Sequence, residues 1–317
     1  MNNLFRPQRA RDTTEEELED LIKKYITLYV MIKYDGVRCN VKGGVVMGKS
    51  MLPITNRYIQ ELYGHPKYEG LEFEIIVTKD GVYNPVTCCA ETVSFTNSDY
   101  AVREHACVLL DHSLIAEMMF DQRFEDLERF ARYHDNFMLP ELEVVHDVEE
   151  IWEFENKILA KDHEGIIVRN PFLKYREGVS SKEGELLRLK RYISEEAVVI
   201  EVGVAYTNTN EAETNALGYT ERSSKLAGKV PKEEIGKLLC MTVKDIYDPW
   251  SRRLLFKKGS LCIVAPGNMS KEEKIELYKI KDQLKGRLIA FKSFPKGTKD
   301  KPRFATFQYF VPDFDQP

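Results

Sequence analysis

No apolar run in this 317-residue sequence reaches the length needed to cross a bilayer, and the first residues, MNNLFRPQRARD, lack the apolar segment of a secretory signal. Both absences lead to the expectation of a soluble protein that keeps clear of membranes and stays in the cytoplasm where it is made. Cysteine is present but not organised. Cys39, Cys88, Cys89, Cys107, Cys240 and Cys262 show no C-x-x-C spacing and two of them are adjacent, so neither a disulfide framework nor a zinc site is indicated and reduced thiols fit. His105-x-Cys107 followed by His112 has no usual zinc spacing and reads as a strand with polar positions. Repeats and low-complexity tracts are also missing.

What is present is a globular composition, 43% hydrophobic and 31% charged, long enough for two domains that each bury a core. The net charge of −5 argues against a polyanionic partner only as an average. Between Gly218 and Pro302 there are 16 Lys and 4 Arg against 10 Asp and Glu, a local +10 that leaves −15 for the remainder. Such asymmetry suits one part of the chain meeting a polyanion, although a solvated lysine-rich face would have the same composition.

The stretch with the most chemistry is Lys33-Tyr34-Asp35-Gly36-Val37-Arg38. A lysine amine titrates near pH ~10.4 and attacks only when neutral, so a nucleophilic lysine needs neighbouring cations or partial burial to release its proton. Gly36 allows a tight turn and Asp35 can brace it. Arg38 follows five residues after Lys33, with a planar fork suited to a phosphate or ribose oxygen. Leu28, Val30 and Ile32 predict a strand delivering Lys33, and Val37, Cys39 and Val41 alternate with Arg38 and Asn40 on the next one, which reads as a hairpin. An ordinary turn with an exposed lysine has the same local signature, so the decision falls to groups downstream.

Thr13-Thr14-Glu15-Glu16-Glu17 predicts a helix start. Strands are expected at Leu71–Val77, Ala106–Leu110 and Gly165–Arg169, and helices at Asn56–Tyr63, Asp121–His134 and Val148–Lys161. After Tyr192 the character changes to short strands with one helix, at Lys271–Leu284, and a polar loop at 206–225. This predicts an α+β fold: antiparallel sheets with flanking helices over residues 1–192, then a small all-β barrel of the OB type over 193–317.

Two acids lie inside apolar strands. Glu74 in LEFEIIV and Glu164 just before Gly165-Ile166-Ile167-Val168 would be costly if buried unpaired, so each is expected to face a polar cleft, where a carboxylate can accept from a ribose hydroxyl or hold a magnesium ion. A solvent-facing edge position would explain either acid alone. Arg188 and Lys190 lie two apart and share one face of a strand, giving two cations for phosphates unless that face is simply exposed.

In this order, Lys33-x-Asp35-Gly36-x-Arg38, Glu74, Glu164-Gly165 and Arg188-x-Lys190 followed by a small β domain, the chain resembles the ATP-dependent DNA ligases of the covalent nucleotidyltransferase superfamily, in their small two-domain bacteriophage form. The resemblance covers nearly the whole length through IKYDGVR, LEFEIIV, HEGIIV, LLRLKRY and the tail FPKGTKDKPRFATFQYF. The lysine motif is shared with capping enzymes and RNA ligases; the tail and NALGYTERSSKLAGKVP point to DNA ligase. The resemblance implies that Lys33 attacks the α-phosphorus of ATP and becomes adenylated, and that Arg38 contacts ribose or DNA phosphate. It further implies Glu74 on the ribose, Glu164 on catalytic Mg2+, and Arg188 and Lys190 neutralising the α-phosphate. AMP would pass to the 5′-phosphate of nicked duplex DNA and be displaced by the 3′-hydroxyl, with the two domains closing as a clamp.

The sequence departs from the family pattern in four places. Lys49 in GKS stands where the family carries an arginine after a serine. Arg188 replaces the first of two lysines, VLLDH offers no obvious aromatic to stack on adenine, and no clear R-x-D-K closes the chain, a motif small phage enzymes also lack. An RNA ligase, a GTP-using capping enzyme and a non-catalytic nucleic-acid binding protein are the alternatives. In the absence of terminal extensions a bare monomer is the simplest expectation.

Overall fold

The chain opens with a short strand β1 (Arg11–Asp12) and a helix α1 (Glu15–Tyr25). The Thr14 hydroxyl accepts the Glu17 N–H while the Glu17 carboxylate accepts the Thr14 N–H, a reciprocal cap worth about 1 kcal/mol. Leu18, Leu21 and Ile22 then recur on one side of α1 and are buried. The computed structural model describes residues 5–295 and 302–312, so residues 296–301 of the tail motif lie outside the described residues. It divides into two units, Met1–Lys190 with Ala216–Gly218, and Arg191–Asn215 with Tyr219–Pro317.

The first unit continues with β2 (Leu28–Ile32), β3 (Val37–Lys42), β4 (Val45–Gly48), α2 (Arg57–Tyr63), β5 (Leu71–Lys79), β6 (Val82–Tyr83), α3 (Cys88–Thr96) and β7 (His105–His112). There follow α4 (Phe120–Ala131), β8 (Phe137–Met138), β9 (Leu142–Val145), α5 (Val148–Leu159), β10 (Gly165–Arg169) and β11 (Leu187–Lys190). One sheet has the order β4-β3-β5-β7-β8 with β6 beside β5, the other β1-β11-β10-β2-β9. Pairing is antiparallel except for β1 with β11 and β7 with β8. Lys33–Arg38 is therefore not a hairpin. β2 pairs with β9 and β10 and β3 with β4 and β5, so this turn carries the chain from one sheet to the other.

The period-two pattern of the strands decides what faces the site. Leu28, Val30, Ile32, Ile166, Val168, Leu187 and Leu189 pack with Leu18, Phe154 and Ile158 in one core, which turns Met31, Ile167, Arg188 and Lys190 to the opposite face. A second core gathers Cys39, Val41, Phe73, Ile75 and Leu109 against Ile59, Tyr63 and Leu127. Each buried leucine here would cost about 2–5 kcal/mol if cut to alanine.

The second unit holds β12 (Ile193–Asn208), β13 (Ala212–Thr214), β14 (Thr220–Arg222), β15 (Lys229–Thr242), β16 (Ile246–Tyr247), β17 (Leu254–Phe256), β18 (Leu261–Val264), α6 (Lys271–Lys279), β19 (Leu288–Phe294) and β20 (Arg303–Phe310). Its main sheet is antiparallel with the order β18-β15-β12-β19-β20, and the chain beside its edge strands meets at one parallel bridge, Ala265 with Thr306. That is the order of a partly open OB barrel, filled by Val199, Leu238, Cys240, Val264, Ile289 and Phe291. The polar stretch 206–225 is not all loop. Within it β13 and β14 pair from Ala212–Arg222 to Thr214–Thr220, because Asn215 closes the turn by bonding the Tyr219 N–H at 3.0 Å.

Candidate active site

Lys33 leaves β2 directly beside the start of β10. Its backbone N–H donates to the Gly165 carbonyl at 3.0 Å, and Gly165 lies opposite Lys190 of β11. Gly165 has φ +153°, and a Cβ there would collide with the Leu189 carbonyl oxygen, so only glycine lets β11 come this close. Three strands thereby bring Lys33, Glu164 and Lys190 together although they are far apart in sequence.

Glu164 serves both lysines. Its Oε2 lies 2.5 Å from Lys33 Nζ and its Oε1 pairs with Lys190 Nζ, with side-chain exposures of 18% for Lys33, 16% for Lys190 and 5% for Glu164. Burial pushes the Glu164 carboxyl up, but the two ammonium groups outweigh it and hold it down at about 2. One negative charge shared by two positive ones leaves the trio net positive, and Lys190 shows the consequence. Burial, and then repulsion from Lys33, lower its pKa despite the attraction of Glu164. The cluster thus eases loss of the Lys190 proton and attracts an incoming anion.

The turn after Lys33 is held from the other sheet. A Cβ on Gly36 would collide with the Ile75 carbonyl oxygen of β5, and the Asp35 N–H donates to the Tyr83 hydroxyl at 3.2 Å. Tyr83 stacks on His163 at 5.6 Å and meets Tyr34 edge-on at 5.3 Å, so rings flank both the lysine turn and the residue before Glu164. Glu74 lies opposite Arg38 and accepts from the Gly36 N–H. Burial raises the Glu74 carboxyl to about 7, against the pull of Lys33 and Arg38.

Among the remaining expected site residues, Arg188 lies near enough to Lys190 to add a smaller repulsion. Arg38 Nη1 donates to the Gln8 carbonyl at 2.5 Å and its Nη2 pairs with fully buried Glu72, which also accepts from the Tyr175 hydroxyl. Arg188 pairs with Asp12, its Nε 2.5 Å and its Nη2 3.1 Å from the carboxylate oxygens. Lys49 is exposed in the turn closed by the Met51 N–H to Gly48 carbonyl bond at 2.9 Å, and no contact among the described residues ties it to Glu164.

Glu72, Asp12, Gln8, Tyr83 and Tyr175 escaped the sequence reading. Glu72 had a signal: it is two residues from Glu74 and shares its strand face. Asp12 had none, since its partner lies 176 residues away on a parallel neighbour.

Among the described residues no group of three or more His, Cys, Asp or Glu could hold a metal. The single carboxylate of Glu164 still fits magnesium, which is commonly held by one or two carboxylates together with substrate phosphates and water. No helix among the described residues is long and apolar enough to cross a membrane.

Comparison with known proteins bears on the fold and the family. No curated protein matches the chain. Among solved structures, a Lig E DNA ligase, described as binding DNA with a minimal scaffold, superposes with a TM-score of 0.66 at 17% identity, over 96% of this chain and 98% of that one. Chlorella virus DNA ligase-adenylate superposes with a TM-score of 0.50 at 19% identity, over 97% and 100%. These likenesses speak for the shared fold. The family model of the ATP dependent DNA ligase domain matches residues 7–190, more than half of the sequence, and on that match the chain belongs to the ATP-dependent DNA ligases.

Proposed function

We propose that the chain seals nicks in duplex DNA in three phosphoryl transfers, with residues 1–192 as the nucleotidyltransferase domain and 193–317 as the OB domain. First, Lys33 Nζ gives up its proton and attacks the α-phosphorus of ATP; the N–P bond forms, the α–β P–O bond breaks, and pyrophosphate leaves with the electron pair. Next, a 5′-phosphate oxygen at the nick takes the AMP and restores the amine. Finally, the 3′-hydroxyl attacks that 5′-phosphorus and AMP leaves. Catalysis of this kind consists mainly of positioning and charge neutralisation.

The single observation that carries this reading is the Glu164 carboxylate shared by Lys33 and Lys190. Lys190 and Arg188 neutralise charge on the α-phosphate, Glu74 accepts from the ribose, and Arg38 and Lys49 serve nucleotide or DNA phosphates. Asp35, Gly36 and Gly165 set the geometry of the two turns. Glu164 would hold Mg2+, which when bound stabilises charge on the phosphate oxygens. The net +10 between Gly218 and Pro302 supports DNA contact by the OB domain, with binding that weakens steeply with salt. Among the described residues no disulfide joins the six cysteines, as suits work in a reducing cytoplasm.

Mass measurement after mixing with ATP and magnesium tests the first step. The protein should gain one AMP, and Lys33→Ala should gain none. Label transferred from GTP alone, or sealing of nicked RNA alone, would replace DNA ligase with a capping enzyme or an RNA ligase.

A further inference from the structure

β1 is two residues long and exists only through its pairing with β11, in which Asp12 lies opposite Arg188. Backbone bonds flank that pair on both sides: the Arg11 N–H donates to the Leu186 carbonyl and the Thr13 N–H to the Arg188 carbonyl, each at 3.1 Å. Asp12 therefore cannot drift along β11. Its neighbour Arg11 is turned to Glu17, which it grips through both terminal nitrogens at 3.1 and 2.7 Å, so Arg11 does not compete for Asp12.

We propose that Asp12 is a positioning residue for Arg188, gripping the Nε–Nη2 edge of the guanidinium so that this cation stands ready on the β11 face it shares with Lys190. The inference rests on the function proposed above, in which that face meets the nucleotide phosphates. Arginine has a long, flexible stem and a rigid planar head, and its usefulness toward a phosphate depends on the orientation of the head. A bidentate carboxylate on one edge sets that plane before substrate arrives, whereas a lone exposed arginine would have to be ordered during the reaction. The Arg188 hydrogen bond is also the chief reason the Asp12 carboxyl lies below its ordinary range, with Lys190 and Arg11 adding smaller attractions, so Asp12 is ionised whenever the enzyme works near neutrality. No sequence motif marks this residue, because it sits on a strand that only the fold brings to β11.

The test is a double-mutant cycle on single-turnover adenylylation of the full chain by ATP and magnesium, using Asp12→Asn, Arg188→Ala, the double variant and Asp12→Glu. Asp12→Asn should lower the rate at saturating ATP about tenfold, the size of a contact pair's coupling, while half-saturation by ATP moves less than about twofold. In the Arg188→Ala background it should lower the rate no further, and Asp12→Glu should recover part of the loss. Thermal midpoints of the single variants should match the parent, since the pair lies at the surface. An unaffected Asp12→Asn rate, or the same loss with Arg188 already removed, overturns the proposal. An unmodified parent protein that never takes AMP overturns the underlying function instead.

Discussion

Lys33 and Lys190 occupy opposite oxygens of one carboxylate, that of Glu164, so a single negative charge answers two positive ones where all three side chains are largely buried. Fully buried Asp111 is likewise shared, by Arg123 and Arg169, but those two cations are guanidiniums sealed in the interior. The Glu164 cluster keeps a surplus of positive charge beside a primary amine, which is what an incoming triphosphate requires.

Replacing Glu164 by glutamine should leave both ammonium groups without their counter-charge and remove the carboxylate proposed for magnesium. Two buried ammonium groups would face a neutral amide, at a cost of about 3 kcal/mol in urea unfolding, and adenylylation should fall about a hundredfold. In the parent protein the Glu164 carboxyl is depressed to about 2, so its stabilising contribution is whole above its unfolded pKa and is lost as pH falls toward 2. The glutamine variant should lack that acid limb.

Glu74 has the opposite sign. Its folded pKa is raised to about 7, so the native state holds a proton that the unfolded chain has already released, and stability falls as pH rises from the unfolded value through 7. Glu74→Gln should accordingly be more stable than the parent at pH 8, by about 1–3 kcal/mol, and no more stable at pH 4. Equal thermal midpoints at pH 8 would show that the carboxylate is not desolvated. If Glu74 accepts from the ribose as proposed, adenylylation should drop in the same variant.

His105 sits in the aromatic core of the first unit, its Nδ1 donating to the Arg103 carbonyl at 2.8 Å and its Nε2 accepting the Tyr63 hydroxyl at 2.9 Å. Burial lowers its pKa, so the neutral ring is favoured in the folded state and protonation favours unfolding. Stability should decline as pH falls below the unfolded histidine value of ~6.5. His105→Gln should flatten the dependence of the urea midpoint between pH 6.5 and its acid limb, at some cost in packing at all pH values.

Gly165→Ala combines a positive φ with a collision against the Leu189 carbonyl, so β11 must move away from β10. The expected loss is at least about 2 kcal/mol, together with loss of adenylylation as Lys190 withdraws from Glu164. Thr14→Ala is the control: it removes the cap of α1, costs about 1 kcal/mol, and should leave the saturating rate as it was.

The local chemistry of this protein was readable from its residues in order. Alternation identified β2 and β3 on either side of the lysine turn, the threonines and acids before Leu18 announced α1, and the spacing of Lys33, Asp35, Gly36 and Arg38 suggested a chemistry because a turn and a nucleophile are properties of neighbouring residues. Which sheet each strand would join was not readable, since pairing is set by contacts between distant segments. Only the fold revealed that the lysine turn crosses between sheets, and that Glu72 rather than Glu74 takes Arg38. It alone brought Asp12 to Arg188 and placed two lysines on one carboxylate. Such charge partnerships depend on burial and register, quantities that no window of sequence contains.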